Sequence, residues 1–201
     1  MSEYTYEVTD VAASPGQTPS QTVGPFFHYA LPYDAGPRVA GPDRPLAFRL
    51  SGRVVDGEGD GVPDALVEIW QADEQGRFVT EPGVYAEVAG AGFRGFGRCA
   101  TDPDGWFELR TVKPGCVPTV EGRQQAPHIA MSVFARGMLR RVVTRVYFDD
   151  EADANAADPL LASVDEERRA TLVATGTDDG YRFDVHLQGD DETVFIDVGA
   201  R

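Results

Sequence analysis

The chain has 201 residues, a formal net charge of -15 at pH 7 and 42% hydrophobic residues, with 22 glycines and 14 prolines spread along it. This length suits one all-β domain with elaborations, or at most two small domains. The negative charge argues against nucleic acid and against an anionic membrane surface as partners, although a local arginine cluster can still hold an anionic substrate.

The cysteine content and the N-terminal sequence bear on the compartment. Two cysteines, Cys99 and Cys116, make neither a disulfide framework nor a CxxC motif. The first ten residues lack the basic and apolar regions of a signal peptide, and no apolar run reaches the length of a membrane span. The sequence therefore predicts a reduced, cytoplasmic protein.

The N-terminal part of the chain reads as irregular. Residues 1–17 are polar and lack periodicity, which predicts a flexible arm before a single domain over 18–201. Residues 18–28 contain two prolines and a glycine, and we expect no regular structure there. The adjacent Phe26 and Phe27 predict that this segment packs either on its own domain or on a partner.

Short alternating or β-branched segments separated by turns follow along the rest of the chain. They predict seven to nine strands in an antiparallel β-sandwich, a mainly β fold. The predicted strands are 46–56, 62–72, 95–101, 106–112, 126–137 and 140–147, with a terminal hairpin of 181–188 and 192–198. Residues 149–157 predict a short helix or an ordered loop. The spacing of Ser163 and Glu166 predicts a capping box and a helical turn through about Ala174.

The strand at 126–137 carries the first chemical signal. Alternate side chains of a strand point to the same face, so His128 and Ala130 look in one direction. A His-x-His pair there would suit a metal, but this chain has only its first half. His128 is then a remnant ligand, a core histidine bonded to backbone, or part of a new site.

The order of the sequence motifs is more specific than any one of them, and it resembles the intradiol ring-cleavage dioxygenases from about Thr18 to Val198. The motifs are GRVVD at 52–56, PDALVEIWQAD at 63–73, GRF at 76–78, GRCATD at 97–102, TVKPG at 111–115 and APHI at 126–129. The resemblance implies a β-sandwich and a non-haem Fe(III) that is held, in the catalytic subunits of the family, by two tyrosinates and two histidines.

The resemblance assigns these four ligand positions to Phe78, Val117, His128 and Ala130. Three of them carry side chains without a lone pair, so the resemblance implies no metal ligands and no catalytic residues on this chain. The family's active-site arginine corresponds to Gln125, which also points to an incomplete site.

The chain is most similar to the non-iron alpha subunits of heteromeric family members. Four segments carry this similarity: TPSQTVGP at 18–25, VFARG at 133–137, YFDDEA at 147–152 and the end of the chain from Gln188 to Phe195. The resemblance then implies a beta subunit as partner, Fe(III) bound by that subunit, and protocatechuate and O2 as substrates.

Such alpha subunits help to wall the substrate cleft of the beta subunit. By position, the substrate-binding residues here are Thr22, Gly24, Phe26 and Arg136. A guanidinium can hold a carboxylate with two hydrogen bonds, which makes Arg136 chemically apt. A plain surface or intersubunit ion pair is the alternative for Arg136, and simple anchoring of the segment is the alternative for Phe26 and Phe27.

Two other functions remain open at this point. One is a stand-alone transthyretin-like module for binding or structure, since β-sandwiches serve many roles. The other is an enzyme with a different metal arrangement centred on His128.

Overall fold

The computed structural model describes residues 18–79 and 90–198. The predicted arm at 1–17 lies outside the described residues, and the single domain over 18–201 stays a prediction. No helix within the described ranges is long and apolar enough to cross a membrane.

The fold is mainly β, as the sequence predicts. The strands are β1 (Phe48–Val55), β2 (Leu66–Trp70), β3 (Phe96–Ala100), β4 (Trp106–Thr111), β5 (Val117–Pro118), β6 (Gln124–Gln125), β7 (Ile129–Phe134), β8 (Val142–Phe148), β9 (Val173–Thr177), β10 (Gly180–Arg182) and β11 (Val185–His186). The α-helices are α1 (Phe26–Ala30) and α2 (Ala152–Ala157), and Leu161–Ser163 and Glu166–Leu172 are 3-10 helices.

Nine strands form one sheet in the order β11-β1-β10-β9-β8-β7-β2-β3, with β4 paired to β1, while β5 and β6 pair separately. The sheet is mixed and not purely antiparallel as expected, because β10 and β11 run parallel to β1, and β9 runs parallel to β8. Strands β3 and β4 contact one another, so the sheet wraps around its core in a sandwich-like or barrel-like form.

The main core lies between the inner faces of these strands. In β7 the odd-numbered residues are buried and the even-numbered ones are half-buried, as strand alternation requires. The residues that point inward are largely branched and aromatic: Leu50, Val54, Ile69, Phe107, Leu109, Ile129, Met131, Val146 and Phe148. Ala130 therefore lies on the outer face of β7, the face that its even-numbered neighbours share.

Three local expectations were wrong. Residues 18–28 are not wholly irregular, because α1 begins at Phe26, directly after Pro25. Proline is tolerated at a helix start, because the N–H that it lacks would have no intrahelical partner there. The capping box is not formed, since the Ser163 hydroxyl donates to the carbonyl of Leu160 and the second 3-10 helix begins after Asp165.

The third error concerns the terminal hairpin. Residues 192–198 form no strand, although the N–H of Thr193 donates to the carbonyl of His186 at 2.9 Å. Residues of this segment bond to β8 instead: the N–H of Ile196 donates to the carbonyl of Val143 at 2.7 Å, and the hydroxyl of Thr144 donates to the carbonyl of Val194 at 2.8 Å. Tertiary pairing therefore replaced the local hairpin.

Candidate functional site

The four positions that the resemblance assigns to iron ligands lie in two groups. Phe78 follows the turn at Gly76, where an added Cβ atom would lie 2.3 Å from the carbonyl oxygen of Cys116. That close approach brings the Phe78 turn beside Val117, which begins β5. The other two positions, His128 and Ala130, precede and enter β7.

The side chains at these positions do not fit a ferric ion. Phe78, Val117 and Ala130 have no atom that can donate a lone pair, whereas Fe(III) requires anionic oxygen and imidazole ligands. Within residues 18–79 and 90–198, no group of three or more His, Cys, Asp or Glu side chains is arranged to hold a metal ion.

His128 has the environment of a core histidine. It is 8% exposed, and its Nδ1 lies 2.7 Å from the carbonyl oxygen of Ala126. A carbonyl only accepts hydrogen bonds, so Nδ1 carries the proton and Nε2 keeps its lone pair. Burial, reinforced by the positive charge of Arg145, lowers the pKa of His128 from 6.5 to about 4. The ring is therefore neutral near pH 7.

A buried polar network beside His128 was not anticipated from the sequence. The Tyr147 hydroxyl donates to Oδ1 of Asp158 at 3.0 Å, and Oδ2 of Asp158 accepts the N–H of Ala126 at 2.8 Å. Burial raises the pKa of Tyr147, partly offset by Arg145, so its hydroxyl stays protonated. Tyr147 therefore stands near His128 as a hydrogen-bond donor and not as a tyrosinate.

The N-terminal segment lies against the far end of β7. The Thr22 hydroxyl oxygen accepts hydrogen bonds from the N–H of Gly137 at 3.0 Å and from the N–H of Gly24 at 3.2 Å. Gly24 and Gly137 have φ angles of 58° and 81°, a region that favours glycine. Both turns are thereby shaped to bring Thr22 and Gly24 beside the residue that precedes Gly137, which is Arg136.

The two phenylalanines of this segment have different surroundings. The ring of Phe27 packs edge-on against Phe134 with centroids 5.5 Å apart. The neighbouring Phe26 is 63% exposed, although it is a large apolar side chain. Phe27 therefore anchors the segment to its own domain, and Phe26 is left facing outward.

Arg136 forms an ion pair within the chain. Its Nε lies 3.0 Å from Oδ2 of Asp64, and the side chain of Arg136 is 63% exposed whereas that of Asp64 is 7% exposed. The turn that carries Arg136 also lines a cleft of about 550 Å³ that Arg140 shares. Two guanidinium groups thus stand at one cleft of a chain whose net charge is -15.

The structure therefore brings two of the four predicted substrate-binding residues into direct contact and places Arg136 next to their hydrogen-bonded neighbour Gly137. Thr22 and Gly24 are bonded to each other, and Thr22 is bonded to the residue after Arg136. Phe26 is linked to this group through its neighbour Phe27, whose ring packs on Phe134, two residues before Arg136. Asp64, the partner of Arg136, was missed by sequence reasoning.

The comparison with protein families and sequences gives a consistent result. Residues 23–189 match the family model described as Dioxygenase. The chain is 49% identical over 199 residues to the protocatechuate 3,4-dioxygenase alpha chain of Burkholderia cepacia. This alignment covers 90% of this chain and 98% of the relative. It is 44% identical over 198 residues to the alpha chain of Pseudomonas putida, with 90% and 96% covered.

The beta chain of the same Burkholderia cepacia enzyme is also similar, at 34% identity over 161 residues, with 74% of this chain and 68% of the relative covered. The alpha and beta chains named in these comparisons are thus both relatives of this chain. The similarity to the alpha chains extends over more of it.

Solved structures show the same fold. The dioxygenase domain of a dioxygenase and carbohydrate-binding protein fusion from Streptomyces sp. SirexAA-E aligns with a TM-score of 0.55 at 25% identity, over 87% of this chain and 99% of that one. Catechol 1,2-dioxygenase from Pseudomonas arvilla C-1 aligns with a TM-score of 0.57 at 21% identity, over 76% of this chain and 55% of that one. Since the family model spans most of the chain and two alpha chains match nearly all of it, the chain belongs to the intradiol ring-cleavage dioxygenase family.

Proposed function

We propose that this chain is the non-iron alpha subunit of a heteromeric protocatechuate 3,4-dioxygenase. Its partner is a related beta subunit, which binds the Fe(III). The assembled enzyme cleaves protocatechuate with O2 between the two hydroxyl-bearing carbons, which gives 3-carboxy-cis,cis-muconate. Both oxygen atoms of O2 enter the product, so no other oxidant is needed.

The observation that carries this proposal is the chemistry of the ligand positions in a chain so similar to alpha chains. No side chain at Phe78, Val117 or Ala130 can coordinate iron. The chain is nevertheless 49% identical to an alpha chain in an alignment that covers 90% of this chain. A chain that keeps the fold and lacks the donors can serve the reaction only through a partner that supplies the iron. When bound by that partner, Fe(III) holds the catecholate and makes the ring reactive toward O2.

The residues of this chain have a positioning role in the proposal. Thr22, Gly24, Phe26 and Arg136 form one wall of the substrate cleft of the beta subunit. Phe26 supplies an exposed aromatic surface that excludes water from the ring of the substrate. Arg136 supplies a positive charge for the carboxylate of protocatechuate or for an acid close to it.

Co-expression of this chain with a beta chain tests the proposal. We expect a tagged form of this chain to retain the beta chain through purification and the complex to cleave protocatechuate. This chain alone should show no turnover. Purification without any beta chain, together with turnover by the chain alone, would favour an enzyme with its own metal arrangement. A cytoplasmic location stays a prediction, which fractionation of the source cells tests.

A further inference from the structure

Asp64 is a buried carboxylate with an unusual set of contacts. The residue is 7% exposed, and neither of its carboxylate oxygens accepts a hydrogen bond from the part of the chain that the structure describes. Within residues 18–79 and 90–198, its one charged contact is Nε of Arg136 at 3.0 Å. A buried carboxylate without donors is costly, so this single cation is what compensates its charge.

The sheet register explains why these two residues meet. Strands β2 and β7 are antiparallel, with Leu66 opposite Phe134 at the end of the ladder. Continuing the register by two residues places Asp64 opposite Arg136. Both residues therefore lie two positions beyond the last pair of the ladder, where the paired strands fix the backbone that leads to each of them.

The closest contact of the pair lies at one side of the guanidinium, and it is an ion pair without a hydrogen bond. Arg136 presents five N–H groups in a planar fork, and Asp64 lies at the Nε side. Neither Nη atom of Arg136 forms a hydrogen bond within residues 18–79 and 90–198. The Nη edge thus keeps the geometry that holds a second carboxylate with two parallel hydrogen bonds.

We infer that Asp64 is a positioning residue for Arg136: the buried carboxylate fixes the guanidinium so that its Nη edge is presented to the carboxylate-bearing side of the substrate cleft. This inference rests on the proposed function, in which Arg136 borders the cleft of the beta subunit. Asp64 touches neither the substrate nor the iron, and it acts through Arg136.

The test uses the assembled alpha-beta enzyme with Asp64→Asn, Arg136→Ala and the double variant. We expect Asp64→Asn to raise KM for protocatechuate about tenfold, because a guanidinium that is no longer held in place loses about one charge-assisted hydrogen bond to the substrate carboxylate. Iron content and the absorption of the ferric site should stay unchanged. The double variant should be no worse than Arg136→Ala alone, because residues that act through one another are not additive.

Catechol provides a readout that a merely structural role would not move. It carries the same two hydroxyl groups as protocatechuate but no carboxylate. Asp64→Asn should therefore weaken the binding of protocatechuate and leave the affinity for catechol unchanged. Both affinities are measured from the change in the visible spectrum on binding. Glu108→Gln is the matched control, since it removes an acid from the exposed Arg49–Glu108 pair of a different surface.

The outcomes separate this inference from the proposed function. If Arg136→Ala raises KM and Asp64→Asn does not, the inference is overturned and the cleft role of Arg136 stands. Equal losses toward catechol and protocatechuate, or effects of the two single variants that multiply, also overturn it. If Arg136→Ala leaves KM unchanged, the cleft role of Arg136 fails and the inference fails with it.

A second variant covers a failure of Asp64→Asn to assemble, which co-purification reveals. Asp64→Glu keeps the charge and displaces the carboxylate by about 1.5 Å, the length of one C–C bond. We expect it to raise KM for protocatechuate severalfold at unchanged iron content. An unchanged KM in an assembled Asp64→Glu enzyme overturns the inference.

Discussion

The side-chain oxygen of Thr22 accepts a hydrogen bond of 3.0 Å from the backbone N–H of Gly137, which lies 115 residues further along the chain. The same oxygen accepts the N–H of Gly24 at 3.2 Å. One hydroxyl thus joins the N-terminal segment to the turn that carries Arg136. We expect the relative placement of the predicted substrate-binding residues to depend on this contact, together with the packing of Phe27 on Phe134.

Replacing Thr22 tests that dependence. Thr22→Val keeps the shape of the side chain but removes the oxygen, so the segment loses both hydrogen bonds. We expect KM of the assembled enzyme for protocatechuate to rise about fivefold, which corresponds to about 1 kcal/mol for a net hydrogen bond. Thr22→Ser keeps the oxygen and should behave as the unmodified chain does. Equal kinetics for Thr22→Val and Thr22→Ser would show that the contact does not position the cleft.

The exposed ring of Phe26 leads to a second prediction. Because 63% of this residue is exposed, Phe26→Ala should change the unfolding free energy of the chain alone by no more than about 0.5 kcal/mol. In the proposed complex the ring contacts the cleft or the partner, so its loss should weaken beta-subunit binding or substrate binding about tenfold. Titration of the beta subunit and steady-state kinetics measure the two quantities.

Val120→Ala is the control for Phe26→Ala, since Val120 is another exposed apolar residue. It should change neither affinity. If Phe26→Ala is as silent as Val120→Ala in the complex, Phe26 has no role beyond the surface of its own chain.

His128 predicts how stability depends on pH. Its pKa is about 4 in the folded chain and 6.5 in the reference state, so between these values the unfolded chain binds the proton and the folded chain does not. The contribution of the neutral ring to the free energy of unfolding is therefore fully present above pH 6.5. This free energy falls by about 1.4 kcal/mol per pH unit as the pH falls from 6.5 toward 4. The total loss is about 3 kcal/mol.

Denaturant unfolding from pH 4.5 to 7.5 measures this contribution of His128 to the unfolding free energy when the chain is compared with His128→Asn. The amide of the variant can still donate to the carbonyl of Ala126. We expect the unfolding free energy of the variant to fall less steeply below pH 6.5. Parallel curves for the two proteins would mean that His128 is not held neutral by burial.

Restoring the second histidine should not restore a metal site. Ala130→His would place an imidazole on the face that His128 shares, but the positions at Phe78 and Val117 would still lack the anionic ligands that Fe(III) needs. We expect no iron to remain on this variant after dialysis and no visible absorption band. Stoichiometric ferric iron on Ala130→His would show that other side chains complete the site.

Much of the fold is encoded locally and could be predicted from the sequence. The alternation in 46–56 and 126–137 predicted β1 and β7, because one face of each strand must be buried. The terminal hairpin failed because Val194 and Ile196 bond to the distant strand β8, a tertiary contact that no local pattern shows.

The site was predictable to a similar degree. Thr22, Gly24, Phe26 and Arg136 came from the resemblance, and their roles toward substrate stay predictions. The Asp64–Arg136 pair was not visible, since the two residues meet only through the register of β2 and β7. An acid two residues before one strand and an arginine two residues after its antiparallel partner were the signals for this pair in the sequence.

The central claim is that the iron of the enzyme belongs to the partner and that this chain supplies the wall of its cleft. Metal analysis with visible absorption spectroscopy, on this chain alone and on its complex with the beta chain, tests it most directly. We predict a colourless, iron-free chain and a red-brown complex whose colour comes from charge transfer between tyrosinate and Fe(III). A coloured, iron-loaded chain that cleaves protocatechuate without a beta chain would contradict the account.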